Sequence, residues 1–261
     1  MVELFFSQTN PARIASPKLL TTNPADLSKM EFLKHFSPLP AQTALLGVCE
    51  DGFPVLFDLL DERPGALLVV GQPDSGKTTL CKLIVTSLSK NNDFHAARYA
   101  VITSHPQEWA DFTKTDQETG MCLAVENAAD ETAGDLILHL AERAEQRHDG
   151  HRMGAPVILF VDSLEFIAKV DSDIRLNFEW LIQNGARAQI WVVASLRAEL
   201  MLSMGRLVNQ FPTLLVGAMS QEAARRLSGL DQVQPHQFIA GRQFAARINR
   251  TWRAFWLPVM E

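Results

Sequence analysis

The chain is predicted to fold as an α/β domain: a mostly parallel central sheet covered by helices on both faces, with closing strands at the C-terminus. Three observations predict it. Short runs of consecutive apolar residues recur, such as Val157-Ile158-Leu159-Phe160-Val161, and strands buried on both faces read this way. Amphipathic stretches of helical length separate several of these runs. The strand-then-helix order repeats, which favours parallel pairing through crossover helices.

The 261 residues carry a formal net charge of −6, with 47% hydrophobic and 21% charged residues, ordinary values for a globular protein. That length suits one large domain with a short extra segment, divided as a Pro-rich lead-in over residues 1–45 and the α/β domain over residues 46–261. No apolar run is long enough to span a bilayer, so no membrane segment is expected. Met1 to Phe6 lacks the basic region and long apolar core of a signal peptide. Cys49, Cys81 and Cys122 are scattered, show no metal-ligand spacing and read as small buried hydrophobes in a reduced, cytoplasmic setting. The acidic balance argues against a surface coated in nucleic acid, while allowing a basic loop or channel.

Taken in order, the lead-in is broken by Pro11, Pro17, Pro24, Pro38 and Pro40, with a short helix expected over Asp26 to His35, capped by Asn23. Residues 46–60 read as a β-hairpin turning at Glu50-Asp51-Gly52. Ala66 to Val70 is a strand, and Thr79 to Lys90 is a helix with Leu80, Leu83, Ile84 and Leu88 on one face. Between them stands Gly71-Gln72-Pro73-Asp74-Ser75-Gly76-Lys77-Thr78, of the form G-x-x-x-x-G-K-[ST]. In the strand-turn-helix context this pattern is a phosphate cradle. Gly71 and Gly76 allow the loop of Asp74 and Ser75 to curl with its N–H groups inward, and the helix start at Thr79 adds partial positive charge. Lys77 is expected to reach the β- and γ-phosphates of ATP, and the Thr78 hydroxyl to hold Mg²⁺.

Tyr99 to Thr103 and Met121 to Val125 are further strands, and Thr132 to His148 is a helix with Leu136, Ile137, Leu140, Ala141 and Ala144 inward. A basic loop, Arg147 to Arg152, follows; it reads as solvated or, in a sharper reading, as a nucleic-acid contact. The strand Val157 to Val161 ends in Asp162, the carboxylate expected beside Thr78 as a second metal-site residue. Asp173 to Asn184 is a helix with Leu176, Leu181 and Ile182 inward, stopped by Gly185. Gln189 to Ser195 and Thr213 to Gly217 are strands, and Gln221 to Leu227 is a short helix. Residues 237–259 supply the closing strands, where Arg242, Arg247, Arg250 and Arg253 alternate with Phe244, Trp252, Phe255 and Trp256. Such a pattern suits either single-stranded nucleic acid or a strand with an apolar inner face.

Together these motifs resemble the ATPase domain of the FtsK/SpoIIIE/HerA group of ring-forming P-loop motors, over residues 46–259. Gly47-Val48, Asp51-Gly52, Pro54-Val55 and Asp58-Leu59 are similar to the family's entry segment, Gly185 to Ile190 to its G-R-A-A-G-I, Ala194 to Arg197 to its A-T-Q-R-P, and Phe211-Pro212-Thr213 to its I-P-T. Gly229 falls near its glycine before the closing strands. The resemblance implies a RecA-like P-loop NTPase fold, ATP and Mg²⁺, and assembly into a homo-oligomeric ring that moves DNA, or protein as secretion ATPases do. The departures bear on catalysis. Where the family has a glutamate after the Asp, this chain has Ser163, a hydroxyl that cannot serve as base near neutral pH. Glu165 is close in sequence and would take that role if the strand end bends toward it. The family's sensor Gln is Leu196 here, and its D-P-K is Ser104-His105-Pro106. Arg197 matches the family Arg as a phosphate sensor or as a residue acting across a subunit boundary, with a surface ion pair as the plainer reading; Arg206, Arg225 and Arg226 are further candidates to act in trans. Lys77, Asp162, Glu165 and Arg197 are therefore the catalytic candidates of a motor subunit with weakened hydrolysis. The other reading is a nucleotide-binding regulatory or structural subunit, partnered in a hetero-oligomer with an active ATPase.

Overall fold

The computed structural model describes residue 20 and residues 23–91, 97–150, 154–227, 230, 233–248 and 251–259. Its ten strands are β1 (Thr43–Cys49), β2 (Pro54–Asp58), β3 (Leu67–Gly71), β4 (Arg98–Thr103), β5 (Cys122–Asn127), β6 (Val157–Asp162), β7 (Ile190–Arg197), β8 (Thr213–Gly217), β9 (Gln243–Ile248) and β10 (Thr251–Trp256). They form one sheet in the order β2-β1-β10-β9-β8-β3-β7-β6-β4-β5. The strands from β8 to β5 pair in parallel; β9, β10, β1 and β2 extend that sheet by antiparallel pairing.

Strand alternation divides the core into two layers. Leu67, Val69, Ile158, Phe160, Trp191 and Val193 face one layer, covered by α1 (Lys29–Phe36), α2 (Lys77–Asn91) and Trp109 of α3 (Gln107–Glu118). Leu68, Val70, Leu159, Val161, Val192 and Leu196 face the other, covered by α4 (Glu131–His148) and α5 (Ser172–Asn184). Every residue of β3 is buried, as a strand sealed on both faces requires. β3 leads through α2 to β4, with β7 and β6 lying between the two strands. The C-terminal ends of the parallel strands thus open a crevice beside the β3–α2 turn, where ligands bind in sheets of this kind.

Several expectations are corrected. The lead-in helix begins at Lys29, after a separate 3-10 turn over Pro24–Asp26 that Asn23 caps. Ser28 caps the helix in a reciprocal box with Glu31, and such a cap contributes about 1 kcal/mol. Leu176 is 59% exposed; Phe178, Leu181 and Ile182 form the buried face of α5. As expected, Gly185 caps the end of α5, and the chain then continues as a 3-10 turn to Ala188 before Gln189 takes φ 57°. Glycine is needed at 185 because a Cβ there would lie 2.4 Å from the Ile190 carbonyl oxygen. Helix α3 has no counterpart in the sequence reading.

The aromatic residues of the closing strands belong to the sheet interior: Phe244 and Phe255 are buried and stacked, and Trp252 is buried on the opposite layer. Arg242 donates to the backbone carbonyls of Leu257 and Ala25, and Arg253 pairs with Asp51. Arg147 is also a structural residue, buried and donating to the carbonyls of Ala188, Gln189 and Ala155; burial pulls its pKa below the usual value. His148 packs edge-on against Trp180. His151, Arg152, Gly229 and Arg250 lie outside the described residues. All three cysteines are buried and free.

Candidate functional site

The turn from β3 into α2 is tight because side chains would block it. A Cβ on Gly71 would meet Ser75 Oγ at 2.3 Å, and one on Gly76 would meet Gly241 Cα at 2.8 Å. Asp74 and Gly76 take φ 59° and 90°, so the loop curls at two left-handed positions. Its outer wall is tied to β8 through Gln72 N–H, which donates to the Ala218 carbonyl at 2.9 Å. Ser75 is buried within the loop, and Asp74 and Thr79 stand on either side of the Gly76 turn.

Lys77 is the first residue of α2. Its ammonium donates to the carbonyl oxygens of Gln72 at 2.7 Å and Gly71 at 3.1 Å, and to Ser75 Oγ at 3.4 Å. Burial lowers its pKa, an effect that the charges of Asp162, Glu165, Glu199 and Asp74 oppose. Among the described residues this half-buried ammonium contacts only neutral oxygens, and a phosphate anion would supply a full counter-ion.

Thr78 follows Lys77 at the start of α2. Its Oγ1 donates to Asp162 Oδ2 at 2.7 Å, across a separation of 84 residues. Asp162 ends β6, between Thr103 of β4 and the neighbouring β7. Its Oδ1 accepts from Ser195 Oγ at 2.8 Å, and its Oδ2 accepts a second bond from the buried Trp109 indole at 3.4 Å. Thr78 and Asp162 thus offer one hydroxyl and one carboxylate, the hard oxygen set that suits Mg²⁺ carried in with phosphates. Among the described residues no group of three or more His, Cys, Asp or Glu side chains forms a metal cluster. A nucleotide-bound cation does not need one, since phosphate and water complete its shell.

The hydrolytic candidates lie on the outer side. After Asp162 the chain passes Ser163 into a 3-10 turn, Leu164–Ala168, which carries Glu165. Glu165 Oε1 accepts from Arg197 Nε at 2.8 Å, with the Arg197 side chain 56% exposed and that of Glu165 23%. Both line a cleft of about 1120 Å³ together with Lys77, Ser163, Ser195 and Lys169. Strand register brings them there: Gly71 pairs with Arg197, and alternate residues Ser195 and Arg197 both line the cleft. Leu196 is 1% exposed and packs in the layer covered by α4 and α5, on the opposite face of β7 from Ser195 and Arg197. Arg206, Arg225 and Arg226 are exposed and outside this cleft, with Arg226 paired to Glu222.

Ser195 and Trp109 are the two residues of the site that sequence reasoning missed. The strand period of two, counted back from Arg197, was a signal for Ser195. Trp109 had none, because α3 is too polar to stand out as an amphipathic helix.

Residues 60–202 match the family model described as AAA domain. Among solved structures, the fold is similar to EssC (ATPases 2 and 3) from Geobacillus thermodenitrificans, with TM-score 0.73 and 17% identity over 95% of this chain and 47% of that one. It is similar to Thermomonospora curvata EccC (ATPases 2 and 3) in complex with a signal sequence peptide, with TM-score 0.66 and 18% identity over 85% of this chain and 41% of that one. It is also similar to the monomer form of the pCW3 conjugation coupling protein TcpA with ATPγS, with TM-score 0.62 and 13% identity over 85% and 67% of the two chains. The chain spans 28% to 49% of the length of the first four structures it matches. No curated protein matches it.

Proposed function

The chain belongs to the AAA domain family of P-loop ATPases, and from that premise we propose that it binds ATP with Mg²⁺ and hydrolyses it slowly, as one subunit of an oligomer. The observation that carries this reading is the union at one point of Lys77, Thr78 and Asp162, beside a strand end that offers Ser163 in place of a base. Lys77 would exchange its loop carbonyls for phosphate oxygens, gaining charge-assisted bonds. Thr78 and Asp162 would hold Mg²⁺, which when bound offsets phosphate charge and fixes the terminal phosphate. Ser195 keeps the Asp162 carboxylate oriented. Glu165 pairs with Arg197 through Oε1, so the carboxylate offered to a water near the terminal phosphate is one held in an ion pair. A missing general base costs about 10²–10⁴-fold in rate, which is the basis for slow turnover.

The oligomer is a ring of like subunits or an assembly with a faster ATPase that supplies what this site lacks. The neighbours are described with a signal peptide in one case and as a conjugation coupling protein in another, so protein and DNA are the two polymer classes to test. The arginines set among aromatics in the closing strands support DNA less than the sequence suggested, since Arg242 and Arg253 bind backbone and Asp51. No helix among the described residues is long and apolar enough to cross a membrane, and a cytoplasmic location fits the free cysteines.

The test is nucleotide binding and hydrolysis by the purified chain, with and without double-stranded DNA, beside Lys77→Ala and Asp162→Ala. We expect ATP binding in the wild type, at least about 100-fold weaker binding in Lys77→Ala, as expected when one partner of a buried charged contact is removed, and turnover that is slow in every condition. Fast turnover abolished in both variants would overturn the slow-hydrolysis reading and establish a competent motor. Absence of ATP binding would overturn the nucleotide site itself.

A further inference from the structure

We infer that Trp109 is a positioning residue for the Mg²⁺ site, fixing Asp162 through its indole N–H; the inference rests on the nucleotide-binding reading above. Trp109 is fully buried near the start of α3. Its ring packs on Phe160 of β6 and Phe112 of its own helix, with centroids 5.9 Å apart in each case. In that apolar layer the indole N–H is the ring's one polar group and must find an acceptor. It finds Asp162 Oδ2 at 3.4 Å. The distance is longer than that of an ordinary N–H···O bond, so this is the weakest of the three contacts on Asp162, and its oxygen is shared with Thr78 Oγ1.

A carboxylate has about four acceptor positions. Thr78, Ser195 and Trp109 engage three on Asp162. Side chains from α2, β7 and α3 therefore hold the carboxylate on three sides, leaving one acceptor position for a cation or its water. Hydrogen bonds to a ligating carboxylate orient it and tune its charge, and losing such a partner typically costs about 10–100-fold in metal affinity.

Lys82 completes the arrangement. It lies one turn beyond Thr78 on the same face of α2. Its ammonium sits 5.4 Å from the Trp109 centroid and 5.7 Å from that of Phe112, and donates to the Glu108 carbonyl. A cation over the ring face draws electron density from the indole and strengthens its N–H as a donor. Helix α2 thus contacts Asp162 twice, directly through Thr78 and indirectly through Lys82 and Trp109.

The experiment is calorimetric ADP binding at rising Mg²⁺ for the wild type and Trp109→Phe, which keeps an aromatic ring and loses the donor. We expect the Mg²⁺ concentration that gives half-maximal tightening to rise about tenfold in the variant, while ADP affinity without Mg²⁺ stays within about twofold. An unchanged Mg²⁺ midpoint overturns the inference. So does an equal loss of ADP affinity with and without Mg²⁺, which a merely structural role would produce. A wild type that binds no ADP overturns the nucleotide-site reading instead, and the inference with it. A second readout needs no variant of Trp109 to fold. With ¹⁵N-labelled tryptophan, one of the five indole resonances should move when Mg²⁺ is added to the ADP-loaded wild type, and should not in Asp162→Asn. Five stationary indole signals in the wild type overturn the inference.

Discussion

The inner and outer halves of the site are built to different standards. On the inner side, Asp162 accepts hydrogen bonds from three side chains, one each from α2, β7 and α3. On the outer side, Glu165 rests on a 3-10 turn and meets Arg197, whose side chain is more than half exposed. Buried, fully paired polar groups are costly to disturb, whereas a solvent-facing ion pair is worth little and can exchange partners. The contrast supports the proposed slow hydrolysis, in which the nucleotide-holding side is the better-built half.

The contrast breaks first at position 163. Ser163→Glu places a carboxylate where the cleft lacks one, and turnover should rise by about 100-fold. In the wild type, Glu165→Gln should lower residual turnover by a similar factor if Glu165 is the acting base. A steady-state assay of both variants decides it: no gain in the first means that the base is not the missing element, and no loss in the second removes Glu165 from the chemistry.

A second prediction sets two arginines against each other. Arg147→Met removes the guanidinium from the Ala188 and Ala155 carbonyls, while Gln189 keeps its bond from Val157 N–H, and should cost about 2–3 kcal/mol of stability, or roughly 5–10 °C in Tm, with ATP affinity unchanged. Arg197→Met should change stability by less than about 1 kcal/mol while altering turnover. Thermal melts paired with activity measurements would test it. Equal losses of stability would show the outer half to be as structural as the core.

The smallest effect is a pH dependence. The lowered pKa of Lys77 means that the folded chain releases this proton before the unfolded chain, whose value is near 10.5. Below both values the folded state carries the cost of a desolvated ammonium. As pH rises from the lowered value toward 10.5, the unfolded state binds more protons, so the wild type gains stability relative to Lys77→Met. Denaturation midpoints of the two proteins, measured from pH 8 upward, should converge or cross in that direction; movement in the opposite sense would mean that Lys77 is not desolvated.

The glycine-rich loop, its helix and the β6 carboxylate were legible because each is a local pattern: a motif of fixed spacing, an apolar helical face, a run of buried residues ending in an acid. Helix α3 was not legible, since only Trp109 and Thr113 are buried along its twelve residues and its inward face mixes two aromatics with polar Thr113. The closing strands show a related limit. Alternating arginines and aromatics left two readings open, and only the pairing of β10 between β9 and β1 turned the aromatics into core. Position 196 shows the same dependence: adjacent strand residues face opposite layers, and the packing around Leu196 is decided by the sheet and not by the segment.

What the sequence determined by itself, then, is the phosphate loop, the carboxylate that accompanies it and the α/β class, because backbone preference and hydrophobic pattern act over a few residues. What only the tertiary structure decided is the company these groups keep. Ser195 and Trp109 reach Asp162 from 33 and 53 residues away, and Arg197 reaches Glu165 from 32. Such contacts depend on strand order and register, which are fixed by burying both faces of the sheet together and are written in no single stretch of the chain.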